Sequence, residues 1–357
     1  MKRTITIVLI MTLVLSLVSC GNKVNDKEAK SDKGCQVAMI VDGAELEESS
    51  FSKDTWDSVK KVSDENDLKC KYFVTENPSK DTYLASIQEA VGEGAEFIIL
   101  PGSSFETAAY AAQSAYTDVN FLIIDGVPHD ENNTYATSAN TVSMVFAEEE
   151  AGYLAGYAAV KEGYTKLGFL GGQALPSIKR YGYGFVQGAA AAAAEKETKI
   201  DMYYNYTGSF AESDEAEKTA KTWYKDKTEV IFACGGAMNK SVVKAAEASD
   251  KKVIGADIDQ SSLSDTIITS AEKNLEKAIG DILGDYAKDK FVGGMAFNYA
   301  AKNNGIALEM KNSKLKNFTE DDYKAVFSKL KSGEINLKKD TGVKSVNELA
   351  GDWVSIK

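Results

Sequence analysis

From Cys35 onward, short apolar runs alternate with longer segments whose apolar residues recur at helical spacing. Runs at Gln36–Val41, Lys69–Val74, Phe97–Leu100 and Phe121–Ile124 predict β-strands. Helices are predicted between them over Phe51–Ser63, Asp81–Gly92 and Phe105–Ala115. In the first helix Phe51, Thr55, Val59 and Val62 share a face, and Ser49 or Ser50 is placed to cap it. A polar stretch at Pro128–Thr134 interrupts the pattern, which then restarts. A helix over Ala147–Lys161 leads to strands at Lys166–Leu170, Asp201–Tyr206, Val230–Ala233 and Lys252–Ala256. Helices over Ser177–Ala194, Ser213–Tyr224 and Lys240–Ala248 separate those strands. Pro176 stands at the helix start, where proline is best tolerated, and Gly188–Ala194 reads as close-packed helix. Two blocks of strand–helix alternation predict an α/β fold of two lobes, each with a parallel sheet flanked by helices.

The N-terminus follows a different rule. Lys2 and Arg3 precede an apolar stretch, Ile5–Val18, broken only by Thr6, Thr12 and Ser16. It has the length of a signal-peptide core and is short for a membrane span. It ends in Leu17-Val18-Ser19-Cys20, the bacterial lipobox pattern, which predicts a lipid on the Cys20 thiol after cleavage. Residues 1–20 are thus read as a lipoprotein signal peptide. Residues 21–34, with four lysines, three acids and no large aliphatic residue except Val24, are read as a flexible tether. The folded part is expected to be lipid-anchored on the extracytoplasmic face of the cell membrane.

Composition narrows the partners. The formal charge is −12 and becomes −14 without Lys2 and Arg3, a surface that repels nucleic acid and anionic lipid. Cys35, Cys70 and Cys234 lack metal-like spacing; whether Cys35 and Cys70 pair is left open. The single histidine, His129, excludes a histidine-based catalytic or zinc cluster and reads as an exposed loop residue. No metal or cofactor is expected.

In open parallel sheets, ligands bind beyond the carboxyl ends of the strands. Asp42-Gly43, Pro101-Gly102-Ser103 and Asp125-Gly126 follow strands of the first block. Gly171-Gly172, Gly208-Ser209, Gly235-Gly236 and Asp257 follow strands of the second, and Thr266–Thr269 ends in Ser270 with Lys273 close behind. Glycines there serve tight turns or close ligand approach. Three aspartates at comparable strand ends, in lobes whose ends face each other, point to a cleft lined with acceptors. Carboxylates accept hydrogen bonds from hydroxyls and ring N–H groups. Phe51 and Phe232 lie near the same edges, where they either sandwich a flat ring or fill the core. Such a set suits a neutral polar ring compound, a sugar or nucleoside, and not an anion.

These residues sit in segments that resemble the basic membrane protein (Bmp) family of nucleoside-binding lipoproteins. The resemblance runs from about Val37 to Leu337. It rests on Glu150-Ala-Gly-Tyr-Leu-Ala-Gly156, Gly168-Phe-Leu-Gly-Gly172, Pro176, Arg180-Tyr-Gly-Tyr-Gly-Phe185, Gly208-Ser-Phe210, Gly255-Ala-Asp-Ile-Asp-Gln260 and Thr269-Ser270 with Lys273. It implies the type I periplasmic-binding-protein fold and no enzymatic activity. It further implies a role as substrate-binding protein of an ABC importer, with permease and ATPase partners and a purine nucleoside as ligand. The roles it implies are Asp42 on the purine edge, Phe51 (after Ser50) and Phe232 as opposing ring faces, and Gly236 near the ligand. Asp125 is a further polar contact, and Asp257 and Lys273 grip the ribose hydroxyls. The sequence departs from the family at Glu47-Glu48, Ser52 and Ala237-Met238-Asn239, near the expected cleft, and Asp259 stands close enough to exchange roles with Asp257. A sugar or signal-molecule receptor of the same fold is the nearest alternative. A nucleoside hydrolase, suggested by Asp42 with Glu47-Glu48, is the remote one. The lobes are expected to comprise 35–135 with 262–292 and 136–261 with 293–357, hinged near Gly126–Thr141, Gln260–Ser264 and Phe291–Phe297.

Overall fold

The computed structural model describes residues 34–43, 46 and 50–357; Cys20, tether residues 21–33 and Glu47-Glu48 lie outside the described residues. In the first block the strands are β1 (Val37–Asp42), β2 (Cys70–Thr75), β3 (Phe97–Pro101), β4 (Asn120–Ile124) and β5 (Thr141–Phe146). Helices α1 (Phe51–Glu65), α2 (Lys80–Gly92) and α3 (Glu106–Ala115) connect the first four. The second block runs α4 (Glu148–Glu162), β6 (Lys166–Gly171), α5 (Pro176–Glu195), β7 (Ile200–Tyr206), α6 (Asp214–Lys225), β8 (Val230–Cys234), α7 (Met238–Ser249), β9 (Lys252–Asp257) and β10 (Ile267–Lys273). The remainder holds α8 (Leu275–Ala287), β11 (Met295–Tyr299), β12 (Ile306–Leu308), α9 (Glu320–Ser332) and β13 (Val354–Ile356).

The first sheet has the order β11-β5-β4-β3-β1-β2 and the second β12-β10-β9-β8-β6-β7-β13. All pairings are parallel except β10 with β12. Stripped of outer strands, both sheets follow the doubly wound order 2-1-3-4-5, so the chain builds one plan twice. Strands β3 and β8 are buried along their whole length, as expected of parallel strands covered on both faces.

The lobes are assembled differently from the sequence expectation. Thr141–Phe146 and Met295–Tyr299, assigned above to the second lobe, pair in the first sheet, whereas Ile267–Lys273, assigned to the first, pairs in the second. The chain crosses between lobes at Ala147, Asn274 and Ala300, each a single residue between neighbouring elements (Ala300 lies between β11 and a 3-10 turn, Ala301–Asn303), not at the three expected hinge stretches. Ala147 N–H donates to the Tyr299 carbonyl at 2.9 Å, which ties two of the crossings together.

Helices α4 and α5 pack almost backbone to backbone. A Cβ on Gly152 would overlap the Tyr181 carbonyl, and one on Gly184 would overlap the Glu149 carbonyl. Gly156 and Gly188 repeat the arrangement one turn on. The two glycine-rich segments singled out in the sequence therefore serve helix packing, and they bring the starts of α4 and α5 together. Among the described residues, no helix is long and apolar enough to cross a membrane. Cys35, Cys70 and Cys234 are free thiols. His129 is tucked in, not exposed: its ring lies 3.3 Å from Glu106 with a side chain 16% accessible.

Candidate ligand-binding cleft

The strand ends of the two sheets supply the cleft. Asp125 follows β4 directly and Asp257 closes β9, the fourth strand of each doubly wound set. Both have left-handed backbone, φ 60° and 70°. Aspartate tolerates that region better than most residues because its short side chain can bond locally. Here both carboxylates turn to one ammonium. Lys273 Nζ bonds Asp125 Oδ2 and lies 2.9 Å from Asp257 Oδ1. Asp257, and not Asp259, therefore partners the lysine; Asp259 instead accepts from Ser261 and Asn312.

Lys273 is the last residue of β10, and its side chain is only 2% accessible. The rings of Phe51, Phe146 and Tyr181 stand 5.2, 5.5 and 5.5 Å from its nitrogen, so the ammonium is caged by carboxylates and aromatic faces. Burial alone would lower its pKa, but Asp125, Asp257 and Glu148 outweigh burial and hold it well above the ordinary lysine value. The cation is permanent at any physiological pH.

Phe51 opens α1, where the Ser50 side chain accepts from Lys53 N–H at 3.2 Å as the helix cap. Ser50 and Phe51 line a narrow cleft opposite Gly236, Asn239, Asp257 and Gln260 of the second lobe. Its free volume is about 40 Å³. Sites for ring-sized ligands hold roughly 300 Å³ or more, so such a ligand enters only when the lobes part. Asp42 sits at the same sheet edge, exposed, and accepts from Ser104 Oγ at 3.1 Å.

The structure thus gathers Ser50, Phe51, Asp125, Gly236, Asp257 and Lys273 in one place. Asp42, bonded to Ser104, is not among them, and neither is Phe232. Phe232 is fully buried inside β8, its ring packed against Phe169, Tyr181 and Phe185, and offers no face to the cleft. Phe210, on the loop after β7 and only partly buried, brings its carbonyl and Cβ beside Gly236 and lays its ring against Gly172. The Gly208-Ser209-Phe210 run directly after a strand was the available signal for it.

Three further residues were not singled out as site residues from sequence. Asn239, 2% exposed, donates its amide to Gln260 Oε1 at 3.0 Å and leaves its own Oδ1 without a partner. Glu148, at the start of α4, lies 3.6 Å from both Lys273 Nζ and Arg180 Nη1. Arg180 in turn donates to Asp340 at 2.9 Å. On the opposite side of β10 from Lys273, Asp259, Glu272 and Glu309 bring carboxylate oxygens within 4.8 Å of one another, the one set among the described residues able to share a cation. Burial, reinforced by Glu309 and Asp259, pushes the Glu272 carboxyl up to about 8.

A cleft between two doubly wound lobes, closed over a caged charge and crossed by three single-residue connections, defines a two-lobed solute-binding protein. A solute-binding protein of an ABC transporter system from Aeropyrum pernix superposes with a TM-score of 0.68 over 88% of this chain and 90% of its own, at 18% identity. The chain belongs to the PnrA-like (Bmp) family of ABC transporter substrate-binding proteins, whose family model matches residues 35–341. It is similar to the ABC transporter nucleoside-binding protein BmpA of Lactococcus lactis, 28% identical over 337 residues, covering 88% of this chain and 93% of the relative. It is also similar to basic membrane protein A of Borreliella burgdorferi, 30% identical over 336 residues, covering 92% and 94%.

Proposed function

We propose that this protein is the lipid-anchored substrate-binding component of an ABC importer and that it carries a purine nucleoside in the inter-lobe cleft. The observation that carries this reading is the meeting of Asp125, Asp257 and Lys273 beside the Phe51 ring. Two carboxylates accept from vicinal hydroxyls while the ammonium donates to their oxygens, a set matched to a ribose. Phe51 and Phe210 supply rings for a base, and the unpaired Asn239 Oδ1 accepts a ring or exocyclic N–H. The surplus of carboxylates opposes a phosphate, which favours nucleosides over nucleotides. The printed name of the Lactococcus relative agrees with this ligand class.

Closure of the lobes around the ligand presents one shape to the permease, whose ATPase drives uptake. The lipobox cysteine, Cys20, holds the domain at the extracytoplasmic membrane face. Titration calorimetry of the mature domain with adenosine, guanosine and inosine tests the ligand. Micromolar or tighter binding of at least one is expected. No heat with any of them, together with binding of a free hexose or pentose, would replace the nucleoside by a sugar. Release of free base on prolonged incubation would instead make the protein a hydrolase. Cys20→Ser is expected to move the protein from the membrane fraction to the medium or periplasm.

A further inference from the structure

Glu148 is the most enclosed acid of the cleft, 1% accessible, and its Oε2 has no hydrogen-bond partner. Its nearest cations, Lys273 from β10 and Arg180 from α5, both stop at 3.6 Å, beyond hydrogen-bond reach. Each of those cations is already engaged. Lys273 bonds Asp125 after β4 and ion-pairs with Asp257 of β9 at 2.9 Å, and Arg180 bonds Asp340 of the C-terminal segment. Next to Glu148, Glu149 has its own partner, Lys339, at 2.7 Å. Tyr181 of α5 and Cys234 of β8 also face the group, and burial keeps both of them neutral.

The charges around Lys273 therefore do not balance. Two cations, Lys273 and Arg180, stand against four carboxylates: Asp125, Asp257, Glu148 and Asp340. A buried cluster with excess negative charge relieves itself by retaining a proton on the acid with the poorest partners. Asp125 is also pushed up by burial, but it holds a direct contact to the ammonium, and Asp340 holds the guanidinium. Glu148 holds neither.

We propose that Glu148 carries a proton in the working cleft, positions Lys273 by leaving it to the two aspartates, and weakens ligand binding when it loses that proton. Burial pushes its carboxyl up to about 8, against the pull of Lys273 and with Asp125 adding to the rise. Once ionised, Glu148 becomes a third anion on Lys273. It draws the ammonium from Asp125 and turns donors away from the ligand's oxygens. The binding part of this inference rests on the nucleoside reading; the proton itself does not.

Two measurements on the full mature chain separate them. In infrared spectra, the wild type minus E148Q is expected to show the carbonyl stretch of a protonated carboxylic acid at about pH 7, lost by about pH 9.5. A difference spectrum without that band at about pH 7 overturns the proposal, whether or not any nucleoside binds. In calorimetry with the best-bound nucleoside, wild-type affinity is expected to fall about tenfold from about pH 7 to about pH 9, while E148Q, at whatever affinity it has, stays level. A level wild-type profile, or an equal fall in E148Q, overturns the link to binding. Should E148Q not fold, the wild-type profile decides alone.

Discussion

Asp125 and Asp257 occupy the same place in two copies of one sheet plan, share the same left-handed backbone, and meet on a single ammonium. Each lobe thus brings one acid from its fourth strand, and Lys273 joins them across the lobe boundary. Removing the lysine leaves Asp125 and Asp257 facing each other without their cation. Lys273→Met is expected to lower the stability of the folded domain by about 3–5 kcal/mol, read by urea denaturation. An unchanged midpoint would show that the cage contributes nothing to folding.

Phe210, proposed for ring contact, and Phe232, expected there from the sequence, are separable by substitution. Phe210→Ala is expected to cost about 1–3 kcal/mol in nucleoside affinity with little change in melting temperature. Phe232→Ala is expected to cost about 3–5 kcal/mol in stability, because it empties a core space between Phe169, Tyr181 and Phe185. The reverse pattern in paired melts and titrations would return Phe232 to the cleft.

Gly184→Ala drives a methyl group into the Glu149 carbonyl and forces α4 from α5. A loss of about 1–3 kcal/mol in stability is expected. Affinity should fall with it, since the same contact sets Glu148 beside Arg180. A variant with normal stability and binding would mean that the helices have slack.

Glu272 gives stability a pH slope. Its folded value, about 8, lies above the unfolded carboxyl value of about 4.3. The native state therefore keeps a proton that the unfolded chain releases, and the associated stability is full below about pH 4 and lost as pH rises to about 8. Glu148, also raised to about 8, adds to the slope with the same sign. Glu272→Gln should raise the melting temperature relative to wild type at about pH 8 and much less at about pH 5. An equal shift at both would assign the effect to something other than ionisation.

Much of the cleft was legible because it obeys a strand-end rule. Asp125, Gly236 and Asp257 all follow apolar runs, and their order along the chain gives their place. Phe232 misled because β8 is buried on both faces, so an aromatic inside it points as readily at α5 as at a ligand. Glu148 and Arg180 carry no local mark. Their partnership appears only when glycines 32 positions apart (Gly152 and Gly184) let two helices touch. The lobe boundaries escaped for a related reason. β11 is a mostly exposed edge strand whose apolar run is only Met295-Ala296-Phe297, and Ala147, Asn274 and Ala300 lack the proline or glycine punctuation that marks loops.

Lys273 stands one residue before the crossing at Asn274, and Glu148 one residue after the crossing at Ala147. Any swing of one lobe against the other turns about these connections. The ammonium and its acid neighbours therefore sit on the shortest lever arm of the molecule, while Ser50 and Asn239, farther along the cleft, travel more. The rims separate to admit a guest, and the charged group beside the axle keeps most of its arrangement throughout.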